Sequence, residues 1–508
     1  MIKRVLNSWI LTLCTACSLA LADPAQVMVQ TDLMTVFISA AGGTLDDVRL
    51  ARVADGDGLG VEHALPIALH SGLTGRGAPG QKSLFVFDGG NLVMGRGEQT
   101  ADVSLRSASS GPILVSKTYQ FHRGSYLFEQ AMEVTNVGTE SESFQAYFEI
   151  EREIANKAQT ASFSQPGYLG PAYLNESEGL IQLARDDIDK GSVSASFDVM
   201  NGWAAMLEPH FGAILSPEAG AEWQGYVRRV GPATYAIGVK GRLITLEPGE
   251  SVRLQMPTFT GPLQWNALAA TDRELTSALD LGTFSIIAKP LLRFMHVLER
   301  ITGNWGWSIV LLTLLIKLGF WRLTRRSYAQ MKRVEAMAPK VRALRETHQG
   351  DKKSLHAKTV ELYTSEEVHP LGGCLPLLVQ IPVFLALYSV LINSVEMRGA
   401  PWIGWIQDLS VPDPLYVLPI AMGITMLAQA RMHPAQQETW RTVLGYALPV
   451  LFSAAFVYLP AGLVLYWVTN NLVSLAQHVL IHREFHLPSA DGPQAVARSA
   501  VVEESRRA

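Results

Sequence analysis

Trp305-Gly-Trp-Ser-Ile-Val-Leu-Leu-Thr-Leu-Leu-Ile-Lys-Leu-Gly-Phe-Trp321 is an apolar run with one charge, Lys317, and it ends against Arg322, Arg325 and Arg326. About 20 apolar residues in a helix cross the hydrocarbon core of a bilayer, so the run reads as a membrane span. From Arg322 to Lys358 the chain carries eleven Lys and Arg, while the loop 396–414 has only Arg398 and the turn Pro460-Ala-Gly462 has none. Basic loops stay in the cytoplasm. The span therefore runs from outside to inside, and what precedes it is exported.

Four further runs, 371–395, 415–432, 443–459 and 463–481, join 305–321 as near-spanning segments of a membrane domain covering 304–483. The cytoplasmic stretch 325–369 is helical in pattern. Met331, Val334, Ala338, Val341 and Leu344 form one stripe, and Leu355, Thr359 and Leu362 a second beyond Gln349-Gly350. Two antiparallel helices are the simplest solution. Arg325, Arg326, Lys332 and Arg333 make that hairpin basic, fit for anionic headgroups or ribosomal RNA, or simply solvated. Residues 286–303 place Ile287, Leu291, Phe294, Met295, Leu298 and Ile301 against Lys289, Arg293, His296 and Arg300, the pattern of an amphipathic helix lying in an interface or packing on protein. The tail 484–508 mixes charges of both signs.

The chain has 508 residues, 48% hydrophobic and 17% charged, with mean hydropathy +0.15. That is too apolar for an ordinary soluble protein and too charged for one wholly in lipid. A net charge of −4 argues against a nucleic-acid binder. Residues 1–22 pair Lys3 and Arg4 with a short apolar stretch and Ala20-Leu-Ala22, a cleavable signal peptide by length, or else a retained anchor. Cys14 and Cys17 fall there, outside any redox-motif context.

Residues 23–285 read as β. In Phe144-Gln-Ala-Tyr-Phe-Glu-Ile-Glu151, Phe144, Ala146, Phe148 and Ile150 face one way and Gln145, Tyr147, Glu149 and Glu151 the other. Tyr126–Val137, Ala233–Leu246 and Ser251–Thr260 are further strands, punctuated by turns such as Ala41-Gly-Gly43. An antiparallel β-sandwich follows. His63, His70, His122 and His210 lack metal-ligand spacing, and the acidic residues are expected on solvated strand faces. No catalytic acid/base pair can be placed.

The polar groups inside the spans carry the functional signal, because burying them unpaired costs free energy. They are Thr313 and Lys317 in the first span, Gln380 in the second, Thr425 and Gln429 in the third, Ser453 in the fourth, and Thr469, Asn470, Asn471 and Ser474 in the fifth. Convergent, they would line a hydrophilic groove. Lys317 is also close enough to Arg322 for its side chain to snorkel to the cytoplasmic surface.

Gly303-Asn-Trp-Gly-Trp-Ser308, His369-Pro-Leu-Gly-Gly-Cys374, Pro376-Leu-Leu-Val-Gln-Ile-Pro382, Ser394-Val-Glu-Met-Arg398 and Pro460-Ala-Gly-Leu-Val-Leu-Tyr466 resemble the motifs of the YidC/Oxa/Alb membrane protein insertases, in the right order across about 285–483. Lys117-Thr-Tyr and Gly42-Gly43 resemble, more weakly, the periplasmic β-supersandwich of the Gram-negative YidC type. The resemblance implies a multi-domain protein: an exported antiparallel β-supersandwich plus a five-helix insertase core with a cytoplasmic hairpin. It implies a non-enzymatic insertase and chaperone of the inner membrane, needing no cofactor, metal or small-molecule substrate, with its C-terminus cytoplasmic. The implied partners are nascent membrane proteins, the Sec translocon, the phospholipid bilayer, and the ribosome and signal-recognition-particle receptor. The family's groove charge falls on Lys317, its first-span threonine on Thr313 and its last-span tyrosine on Tyr466. Gln380, Gln429, Asn470 and Asn471 complete the groove, and Ile381 and Phe384 lie on an apolar slide for the substrate. Three departures stand out: lysine where the family usually has arginine, a cleavable-looking N-terminus, and a tail that is not strongly basic. Two other readings are a polytopic transporter with an exported sensing domain, which would show repeats and broken helices, and a membrane-anchored enzyme acting on envelope carbohydrate.

Overall fold

The computed structural model describes residues 26–53, 61–154, 168–191, 196–199, 201–218, 220–271, 274–348, 351–365, 375–432 and 439–486. The segment 1–22 with Cys14 and Cys17, the Gln349-Gly350 turn, the His369–Cys374 motif and all but the first residues of the tail lie outside them. The chain divides into two compact units, Met1–Asp280 with Asn393–Glu396, and Leu281–Ile392 with Met397–Ala508.

The first unit is a sandwich of an eleven-stranded and a nine-stranded sheet. At the centre of the larger sheet, Glu142–Glu153 pairs with Ile67–Thr74 on one side and Thr234–Gly241 on the other. In the smaller sheet, Leu127–Asn136 lies between Ile113–His122 and Ser251–Pro262. Period-two alternation builds the core. Phe144, Phe148 and Ile150 from the larger sheet meet Val115, Phe121, Phe128 and Met132 from the smaller. Two expectations need correction. Ala233–Leu246 is two strands, Thr234–Gly241 and Ile244–Leu246, because Arg242 and Leu243 leave the ladder. The sandwich is also not wholly antiparallel, since Gln26–Gln30 pairs in parallel with Leu92–Val93.

Lys117 and Tyr119 are successive inward positions on Ile113–His122, and both reach the other sheet. Lys117 Nζ donates to the carbonyls of Gly42 (2.5 Å) and Ser71 (2.7 Å), and Tyr119 Oη donates to that of Gly43 (2.5 Å). Gly42 and Gly43 have φ of 73° and 56°, left-handed backbone that a Cβ disfavours. This is why Lys-x-Tyr and Gly-Gly occur together: one supplies donors, the other a turn whose carbonyls face inward.

The acidic side chains of Glu142–Glu153 are not all solvated, contrary to expectation. Glu149 is 1% exposed. Arg228 binds both of its carboxylate oxygens, at 2.8 and 2.6 Å. Register explains the reach. Glu149 faces Gly238 and Glu151 faces Ala236 on Thr234–Gly241, and Ala236 faces Arg228 on the next strand. Arg228 thus crosses an intervening strand over small residues. His70 stands beside this pair, with Nε2 3.4 Å from Glu151 and Nδ1 3.2 Å from Thr44 Oγ1. Burial pushes its imidazole down to about 4.

The second unit is helical: α1 (Ser285–Thr302), α2 (Trp305–Gly319), α3 (Trp321–Thr347), α4 (Lys352–Ser365), α5 (Leu375–Asn393), α6 (Val417–Met432), α7 (Thr439–Phe456) and α8 (Ala461–His486). Among the described residues no single helix is long and apolar enough by itself to cross a membrane; α1 and α2 pass that test only as a pair bent by 117°. α3 follows α2 after Phe320 alone, so the helix of the expected hairpin begins at Trp321 rather than at 325. On α1, His296 sits on the buried face against Trp305, with ring centroids 5.0 Å apart, whereas Phe294 and Ile301 are exposed. The apolar and polar faces read from sequence are therefore partly exchanged: His296 packs on Trp305 of α2 and is buried along with Leu292 and Met295.

Candidate functional site

The Gly303–Ser308 motif sets where α2 begins. Gly303, at φ 65°, ends α1. Asn304 caps α2: its Oδ1 accepts from the Trp307 N–H at 3.1 Å, and its Nδ2 donates to the Pro401 carbonyl at 2.9 Å. Gly306 leaves room for Trp402; a Cβ there would stand 2.2 Å from Trp402 Cδ1. At the start of α8, the Pro460–Gly462 turn docks on the same connection. Ala461 N–H donates to Val411 O, and Gly462 N–H to Leu409 O. Both motifs thus tie α2 and α8 to one loop, which fixes the two helices side by side.

Lys317 lies in the last turn of α2, where the partial negative charge of a helix C-terminus favours a cation. Its Nζ donates to Ser474 Oγ on α8 at 2.9 Å rather than extending past Arg322. A cavity of about 240 Å³ opens beside it, lined by Lys317, Gln429, Ser474, Gln477, Tyr328 and His478 among others. α2, α3, α6 and α8 all contribute to its walls.

The other expected residues form two groups. In the first, Asn471 Nδ2 donates to Thr425 Oγ1 (3.2 Å) and Gln429 Nε2 donates to Asn471 O (2.9 Å), joining α6 to α8. Asn470 stands apart from this group: its carbonyl accepts from Ser474 within α8, while its Oδ1 is buried with no partner among the described residues. In the second, Gln380 of α5 donates to the Tyr466 hydroxyl of α8, and the Phe384 ring stacks 6.3 Å from Tyr466 and meets Trp467 edge-on at 4.9 Å. Ile381 is exposed one residue along α5 from Gln380. Thr313 does not reach the cavity. It is 1% exposed and its hydroxyl returns to the Ile309 carbonyl at 2.7 Å, a back-bond inside α2. Arg325, Arg326 and Arg333 are exposed on α3, and Lys332 lies 5.9 Å from the Tyr328 ring centroid.

Sequence reasoning missed Gln477, His478 and Tyr328 as cavity residues. A signal existed: Asn470, Ser474, Gln477, His478 and Ile481 recur at helical spacing, so a polar stripe continues down α8 past the two asparagines.

A family profile described as "YidC periplasmic domain" matches residues 26–294, and one described as "60Kd inner membrane protein" matches residues 297–488. The membrane protein insertase YidC of Cupriavidus metallidurans is 38% identical over 471 residues, 91% of this chain and 84% of the relative. The chain belongs to the YidC family of membrane protein insertases. The YidC of Aromatoleum aromaticum is 35% identical over 467 residues, covering 90% of this chain and 84% of its own. A solved structure described as an active YidC insertase with its first transmembrane domain resolved has a TM-score of 0.38 at 17% identity, covering 94% of this chain and 99% of its own. A galactose mutarotase related enzyme from Lactobacillus acidophilus matches 46% of this chain and 97% of its own, at 11% identity and TM-score 0.32. YidC membership makes residues 26–294 the periplasmic domain and the inner membrane the site of the protein.

Proposed function

We propose that this chain inserts, folds and assembles integral membrane proteins in the inner membrane, alone or beside the Sec translocon, through a groove open to the cytoplasm. α2, α5, α6, α7 and α8 form the five-helix core. α3 and α4 are its cytoplasmic hairpin, available to a ribosome, a signal-recognition-particle receptor or lipid headgroups, and the β-sandwich faces the periplasm.

One observation carries the reading: the Lys317 ammonium borders a cavity within the helical unit, with Gln429, Ser474 and Gln477 around it. A bilayer excludes charge. A polar cavity beside lysine shortens the apolar barrier that a substrate's hydrophilic segment must cross. Insertion is then driven by burying the substrate's own apolar helix in lipid. The slide at Ile381 and Phe384 offers an apolar exit. The polar stripe on α8 fits the same picture, since a 26-residue helix lining a groove need not be apolar all round.

A photo-crosslinking side chain at position 429 tests this. It is expected to trap a stalled single-span nascent chain through its polar segment. Labelling at exposed Leu451 on α7 with none at 429 would contradict it.

A further inference from the structure

Lysine is a point charge on a flexible stem and, unlike arginine, brings no rigid fork to hold its place. The surroundings of Lys317 supply what the side chain lacks. Ser474 Oγ donates to the Asn470 carbonyl at 2.7 Å, and with its own proton committed there, the oxygen faces Lys317 as an acceptor, 2.9 Å from Nζ. One turn on, Gln477 is 4% exposed and its Nε2 donates to the backbone carbonyl of Lys317 at 3.2 Å. That carbonyl lies in the last turn of α2, where helix carbonyls run out of intrahelical partners. α8 therefore grips residue 317 twice, once at the ammonium and once at the backbone that carries it. Among the described residues two of the three ammonium protons have no partner and remain for a substrate.

We propose that Ser474 and Gln477 are positioning residues for the groove cation: Ser474 aims the ammonium into the cavity, and Gln477 fixes the end of α2 from which it projects. The inference rests on the groove reading above and adds how a lysine is made to serve in it. Its consequence is a specificity. Substrates whose translocated segment carries an acidic side chain depend on the aim of the ammonium, and neutral segments do not.

The full chain, reconstituted in proteoliposomes, is given a single-span substrate with either an acidic or a neutral translocated segment. Ser474→Ala is expected to lower acidic-segment insertion roughly tenfold, the scale of one hydrogen bond to a charged group, and neutral-segment insertion by much less. Ser474→Thr, which keeps the acceptor, restores it, and Gln477→Met shows the same selective loss. Equal loss on both substrates would reduce Ser474 to a structural role and overturn the proposal. So would wild-type insertion of the acidic substrate by Ser474→Ala while Lys317→Ala fails, a result that leaves the groove standing. Wild-type insertion by Lys317→Ala itself would remove the groove reading instead.

Discussion

Lys117, on the smaller sheet of the β-domain, is bound at 2.5 Å to the carbonyl of Gly42, in the turn between two strands of the larger one. With Ser71 as its second acceptor and the Phe85 ring 4.7 Å away, it is 2% exposed and fully partnered. The contact stitches the two sheets at a point where apolar packing alone would leave inward carbonyls unpaired. Lys117→Met keeps the volume and removes the donors. Each orphaned carbonyl costs about 1–3 kcal/mol, so with two of them the β-domain is expected to lose about 2–6 kcal/mol. Unfolding of the full chain in detergent, followed by proteolysis of 26–280, checks it; an unchanged midpoint would contradict the clamp.

The same residue gives the domain a pH dependence. Burial pushes the Lys117 amine from 10.5 down to about 7. The folded form therefore holds fewer protons than the unfolded chain between those values, and stability rises with pH across that window. The contribution is complete above 10.5 and is lost as pH falls through 7. His70, pushed from 6.5 to about 4, acts likewise lower down, complete above 6.5 and lost as pH falls through 4. Wild type and Lys117→Met should thus differ in slope between pH 7 and 10 and run parallel below. Parallel curves throughout would refute the assignment.

Removing Arg228 leaves the Glu149 carboxylate buried without its bidentate partner. Breaking a buried pair costs about 3–5 kcal/mol, and since Arg228 is itself half-exposed, about 2 kcal/mol is expected for Arg228→Leu. The double variant Glu149→Leu/Arg228→Leu should recover part of that loss. Thermal unfolding of the three proteins decides; a double variant no more stable than the single would show that the pair does not act as a unit.

How much of this was legible in the sequence follows from the range of the interactions. The alternation Phe144, Ala146, Phe148, Ile150 showed itself within eight residues, and all four are buried. The insertase motifs were equally local. Glu149 was misread because its partner lies 79 residues away, across a strand whose register no local pattern reveals. His296 was placed on the wrong face because a helix that buries one side on α2 and exposes apolar residues on the other has no single polar face. Lys317 was found, but its partner Ser474 is 157 residues on and only the fold brings them together.

The start of α2 offers a further test. Asn304→Ala removes the cap and its bonds to the 401–402 backbone, and is expected to cost about 1 kcal/mol. Gly306→Ala costs more, because its Cβ meets the Trp402 ring at 2.2 Å and one of them must move. Melting of the detergent-solubilised protein should rank wild type above Asn304→Ala, and Asn304→Ala above Gly306→Ala. The reverse order would contradict the close approach.

The central claim is that the cation at Lys317 makes the cavity an entry for polar segments. Its most direct test is insertion of a single-span substrate by the purified chain in proteoliposomes. Lys317→Ala should lose most of the activity and Lys317→Arg should keep it. Insertion by Lys317→Ala at the wild-type rate would contradict the account.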